Sequence, residues 1–195
     1  MGLGIDCDSS CINHAQDILK DYTFVARYIA PTKNEPLTKE EAVHLSIYGL
    51  FVVTVYQSGP SIPSKYTYEQ GVIDGQTAAE VAVSIGIPPG KPIYFVIDCD
   101  ISASQAIQYL QGVENRIAEY RIGVYASGAI LFAVRKNLGI YFLWLAGATG
   151  WPQYEEFKNS GYASLIQIEE NVQMFGLNVD INQSNNNAGG WQIIT

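Results

Sequence analysis

The residues best equipped for chemistry are carboxylates placed where apolar runs end. Gly90-Lys-Pro-Ile-Tyr-Phe-Val-Ile-Asp-Cys-Asp100 is β-branched or aromatic over residues 93–97, as in a strand covered on both faces, and leads straight into two acids. Side chains alternate along a strand, so Tyr94, Val96, Asp98 and Asp100 are expected on one face and Phe95, Ile97 and Cys99 on the other. A carboxylate just past a buried strand is poorly solvated and feels its acidic neighbour, and both effects raise a pKa toward values useful for proton transfer. Asp6 ends a short apolar run at the start of the chain, and Asp180 lies in another near its end. Tyr28, Tyr56, Gln57, Tyr125, Trp144, Gln167 and Glu169 stand at the ends of further strand-like runs. Aromatic faces beside carboxylates suit sugars, because rings stack on C–H-rich surfaces and hydrolysis of a glycosidic bond ordinarily uses two carboxyl groups. Each residue also has a structural role open to it: Asp6 at a helix start, Asp100 beside a cap, Asp180 in a turn, the tyrosines in the core. Arg27 is a candidate counter-ion for the acids.

Composition narrows the alternatives. The chain has 195 residues, 48% hydrophobic and 15% charged, with no linker or low-complexity tract, so a single domain over 1–195 is expected. A net charge of −8 without a Lys/Arg stripe argues against nucleic acid as a partner. No apolar run is long enough to span a membrane, and no signal peptide is visible in the sequence. The three cysteines, Cys7, Cys11 and Cys99, fit no zinc spacing, and His14 and His44 form no HExxH pair, so no metal or other cofactor is expected. The glycosylation-type triplet Asn182-Gln-Ser184 is too short and common to carry weight.

The elements that must position the acids follow from periodicity and punctuation. Strands are expected over residues 2–6, 24–30, 50–57, 93–97, 122–126, 141–146, 164–169 and 177–182. Helices are expected over residues 12–20, 38–49, 71–86, 102–119, 129–138 and 153–159, two of them opened by the capping boxes Thr38-Lys-Glu-Glu41 and Ser102-Ala-Ser-Gln105. Residues 58–68 form a long loop and residues 171–176 a tight turn. Eight strands alternating with helices predict an α/β fold, a (β/α)8 TIM-type barrel with its site at the C-terminal strand ends. Such barrels usually need about 250 residues, so this is a short version whose last helices are reduced or missing. An open doubly wound sheet is the structural alternative.

Several motifs carry a family resemblance. Gly71-Val-Ile-Asp74-Gly-Gln-Thr-Ala78-Ala, Ile85-Gly-Ile-Pro88-Pro-Gly90 and Pro92-Ile-Tyr-Phe-Val-Ile-Asp98-Cys-Asp100 resemble the glycoside-hydrolase-like domain of unknown function related to the family 25 muramidases (lysozymes). Gly4-Ile-Asp6, Leu143-Trp144-Leu-Ala146, Gln167 and Val179-Asp180-Ile-Asn182 echo the muramidase pattern in order. The resemblance implies a glycan hydrolase acting on bacterial cell-wall peptidoglycan or a related polysaccharide, outside the cell or at the wall. It implies an acidic cluster of Asp6, Asp98, Asp100 and Asp180, with Asp100 as proton donor. Among the strand-end candidates for glycan contact, Tyr28, Tyr56, Gln57, Tyr125, Trp144, Gln167 and Glu169, it favours Trp144 and Gln167, and a strand-end Trp144 indole is expected to be exposed and to stack on sugar. Muramidases carry Asp-x-Glu where this chain has Asp98-Cys-Asp100, so the donor is one methylene shorter. The alternative function is a carbohydrate-binding pseudo-enzyme that keeps the acidic cleft without turnover.

Overall fold

A computed structural model describes residues 2–185 and 187–193. Eight strands close into a barrel in sequence order. They are β1 Gly2–Cys7, β2 Phe24–Tyr28, β3 Phe51–Tyr56, β4 Pro92–Val96, β5 Arg121–Ala126, β6 Phe142–Leu145, β7 Leu165–Met174 and β8 Leu177–Ser184. The helices between them are α1 Ala15–Ile18, α2 Lys39–Ile47, α3 Tyr68–Ile85, α4 Ala103–Glu114, α5 Gly128–Leu138 and α6 Tyr154–Asn159. Both N-caps operate, the Thr38 hydroxyl accepting from Glu41 N at 3.1 Å and the Ser102 hydroxyl from Gln105 N at 3.2 Å, while the Glu41 and Gln105 side chains bond elsewhere. The first helix is shorter than its sequence suggests, a 3-10 turn at Ile12–His14 followed by four α residues. The third begins at Tyr68, capped by Thr67, inside the segment expected to be loop.

Strand alternation sorts the apolar residues into two layers. Inward-facing Phe24, Ala26, Val53, Val55, Tyr94, Val96, Trp144 and Leu165 fill the barrel, while Val25, Val52, Phe95 and Val124 face the helices. Small residues make room for the large inward rings. A Cβ on Gly123 would stand 2.7 Å from the Tyr94 ring, so only glycine admits that tyrosine. At the N-terminal end of the barrel the chain returns beneath it: the Tyr94 hydroxyl donates to Ala188 O at 3.0 Å, and Trp191 bridges to Val52 and gives its indole N–H to Thr54 Oγ1 at 2.8 Å. The barrel is therefore a cup, closed below and open at the C-terminal strand ends.

The regular repeat stops after β6. Strands β1 to β7 pair in parallel, but β8 runs antiparallel to both β7 and β1. No helix separates β7 from β8; Phe175 and Gly176, at φ 54° and 77°, form a two-residue turn of the type that matches hairpin twist. Two register shifts, at Gln167/Glu169 and Glu169/Val172, bend β7 over the barrel mouth.

Candidate active site

Three of the four acids meet in the mouth. Asp6, Asp98 and Asp180 line one cavity of about 100 Å³ with Tyr28, Val55, Gln57, Val96, Tyr125, Trp144 and Gln167. Asp6 and Asp180 stand opposite each other in the β1–β8 register. Asp6 is buried, and Asn182 Nδ2 donates to its Oδ2 at 2.7 Å. Asn182, fully enclosed, also accepts the Trp144 indole N–H at 2.9 Å, so one amide ties the floor to the acid. Asp180 is held from both sides: Gln167 Nε2 donates to Oδ2 at 2.7 Å and Asn171 N to Oδ1 at 2.7 Å. Gln167 in turn accepts from the Tyr125 hydroxyl at 2.8 Å and from Gly147 N at 2.9 Å.

This arrangement separates the acids chemically. Burial, reinforced by the charge of Asp180, pushes the Asp6 carboxyl up to about 8, with the Asn182 hydrogen bond opposing the rise. Asp98, at the open rim, is raised by partial desolvation and by Asp180, and Asp180 is raised by burial against the opposing Asn171 N–H. The most deeply buried of the three acids is thus the one pushed up to about 8, the kind of environment that suits a carboxyl to proton donation.

Several expectations are corrected. Asp100 does not enter the mouth: β4 ends at Val96, alternation no longer governs the chain two residues past Asp98, and Asp100 lines a neighbouring hollow instead. Tyr56 faces the helix layer, where its hydroxyl lies 3.4 Å from buried Asp74, because Val55 takes the inward position. Trp144 lines the mouth as its floor but is 2% exposed and packed edge-on against Tyr94 and Tyr125, so it is a core residue and not a free stacking surface. Glu169 is exposed outside the mouth, because the first bulge of β7 turns it away. Glu170 is exposed too and does not line the mouth, but its Oε1 lies 2.7 Å from where a Cβ on Gly147 would stand, and its charge contributes to the raised Asp6. Arg27, one residue from inward-facing Tyr28, points outward and pairs with buried Glu41 at 2.8 Å, so it is not the counter-ion of the acids. Asn182, buried and engaged, cannot present a glycan acceptor amide. The sequence singled out neither Asn182 nor Glu170; alternation from Asp180 points to Asn182, whereas nothing in sequence marks the bulges that bring the Glu170 charge near Asp6.

Tyr28, Gln57, Tyr125 and Gln167 do line the mouth. Lys33 spans the rim, its ammonium 4.2 Å from the Tyr28 ring centroid and 2.8 Å from Gln57 Oε1. Among the described residues no group of three or more His, Cys, Asp or Glu is arranged to hold a metal ion.

Residues 17–185 match the family model described as the Rv2525c-like, glycoside hydrolase-like domain. The chain belongs to this family. It is 32% identical over 157 residues to the Mycobacterium tuberculosis protein named "Putative peptidoglycan hydrolase Rv2525c", a match covering 76% of this chain and 63% of that one. The chain thus spans less than two thirds of that curated relative. The crystal structure of the Tat-secreted protein Rv2525c from M. tuberculosis in complex with L-tartrate superposes with a TM-score of 0.83 at 26% identity, covering 97% of this chain and 98% of that one. A glycosyl hydrolase 25 of Streptococcus pneumoniae shares the fold at a TM-score of 0.58 and 10% identity, covering 93% of this chain and 86% of that one. The Rv2525c-like chain is therefore a glycoside hydrolase-like barrel, akin in fold to the family 25 enzymes.

Proposed function

We propose that this Rv2525c-like domain is a glycan hydrolase that cleaves glycosidic bonds of bacterial cell-wall peptidoglycan or a related polysaccharide. One observation carries the reading: Asp6, Asp98 and Asp180 converge in one aromatic-walled mouth, with Asp6 buried, held by Asn182 and its carboxyl pushed up to about 8 by that burial. In this reading Asp6, and not Asp100, is the proton donor. Departure of the leaving group places positive charge on the anomeric carbon, and the carboxylates of Asp98 and Asp180 stabilise it. Gln167 and Asn171 fix the orientation of Asp180 so that no reorganisation is needed as that charge develops. For an N-acetylated sugar the substrate's own amide can serve as nucleophile, with retention at the anomeric centre. The wall as the place of action accords with the name and the secretion of the mycobacterial relative. No helix among the described residues is long and apolar enough to cross a membrane.

The test is digestion of purified cell walls with mass analysis of the soluble products and titration of new reducing ends. Reducing ends that appear with the native chain and vanish with Asp6→Asn support hydrolysis. A second reading, glycan binding without turnover, draws on the absence of Asp100 from the mouth. Walls that bind the chain but release no reducing ends would select it.

A further inference from the structure

The mouth, a cavity of about 100 Å³, is the smaller of two neighbouring spaces at this end of the barrel. A larger hollow of about 270 Å³ lies on the other side of the β4–α4 connection, lined by Asp100, Ile101, Ile130, Trp151 and Pro152 among others. The two spaces share one piece of backbone: Asp98 faces the first and Cys99 and Asp100 face the second. A second strand end repeats the pattern, with Tyr125 on the mouth and Ser127 on the hollow. Two residues of chain reach at most about 7 Å, so the spaces adjoin.

The hollow is also built in advance of any ligand. Ala129 N donates to Pro152 O at 3.0 Å and Trp151 N to Ala148 O at 2.9 Å, which fixes the Trp151–Pro152 segment over the start of α5. Gly128 is required there, because a Cβ would collide with Gln153 O. Trp144 and Trp191 are 2% and 1% exposed, whereas Trp151 is half-buried with its surroundings open to the hollow. An indole wall, aliphatic neighbours and one carboxylate are the groups that recognise a pyranose: the ring stacks and the acid accepts from hydroxyls.

We infer that the Trp151–Asp100 hollow is a second sugar-binding position, which takes the ring next along a glycan whose neighbour enters the acid mouth. This rests on the glycan-hydrolase reading above. It gives the second acid of Asp98-Cys-Asp100 a binding task where a catalytic one was expected. The chain then holds at least two adjoining sugars, so substrate length governs affinity.

Calorimetric titration of the intact chain with N-acetylglucosamine and with its β-1,4-linked trisaccharide tests this. The native chain should prefer the trisaccharide by about tenfold or more, the scale of one aromatic stacking contact, and Trp151→Ala should lose most of that preference, with Asp100→Asn losing part. In the unaltered chain the trisaccharide, but not the monosaccharide, should shield tryptophan fluorescence from iodide, a measurement that stands even if Trp151→Ala fails to fold. A native preference that survives Trp151→Ala, or iodide quenching that the trisaccharide leaves unchanged, overturns the second position and leaves the mouth intact. If neither sugar binds the native chain, the glycan reading itself falls and this inference with it.

Discussion

The parallel strands β2 to β6 and the β7–β8 hairpin contribute different materials to the same mouth. The parallel strands supply walls and floor, Tyr28, Val55, Val96, Tyr125 and Trp144, with a single acid, Asp98, on the rim. The hairpin supplies Asp180 together with Gln167, Asn171 and Asn182, which hold the Asp180 and Asp6 carboxyl groups by directed hydrogen bonds. A repeating βα unit buries its strands on both faces and favours apolar residues. Where the repeat breaks and the strands turn antiparallel, the chain can bring amides and carboxylates inward and satisfy them across the hairpin. Packing comes from the repetition, and chemistry from its interruption.

The largest expected effect removes the acid that the hairpin controls. Asp6→Asn should reduce turnover by about 10³-fold, within the usual range for a general acid, as read by reducing-end release. In the native chain activity should fall as pH rises past about 8, where Asp6 ionises. The same group reports through stability. Its folded pKa lies above its unfolded value, so its contribution is fully present below about pH 4 and is lost as pH rises toward 8. Urea midpoints taken across that window should decline in the native chain and stay flatter in Asp6→Asn.

A cut into the parallel side should act on folding instead. Trp144→Ala should cost about 3–5 kcal/mol in urea unfolding, as expected for a large buried aromatic. A small loss of stability with a large loss of glycan affinity would make Trp144 a binding surface and undo the division between walls and polar frame. Asn182→Ala should cost about 1–3 kcal/mol by orphaning the buried Trp144 N–H. It should also move the alkaline limb of activity upward, because the bond it removes holds the Asp6 pKa down. The smallest effect separates two adjacent acids. Glu170→Gln should lower the Asp6 pKa and shift the alkaline limb to lower pH, whereas Glu169→Gln should leave it in place.

The same division explains what could be read from sequence. Over the parallel strands, alternation and capping boxes suffice: Thr38 and Ser102 start their helices, and Tyr94 and Val96 point inward with Asp98 beyond them. Alternation fails as soon as a strand ends, so Asp100, which it assigns to the mouth, lies outside it. At β3 the pattern leaves the strand end open by a residue, and Tyr56 faces the helix layer while Val55 takes the mouth. In β7 the bulges carry Glu169 out of the mouth, and no local pattern announces a bulge. Burial of Trp144 depends on residues from three other strands, which spacing within β6 does not reveal.

The pairing of β1 with β8 joins Gly2 to Ser184, and the Trp191 anchor on Val52 lies beyond even that. A ribosome delivers β1 first and β8 last, so the edge of β1 stays unpaired until nearly all of the described chain has emerged. Ring closure is therefore a late event of high contact order, and the nascent barrel is an open sheet with an adhesive border throughout its synthesis. Chaperones that cover strand edges have their window there, before the cup acquires its last stave.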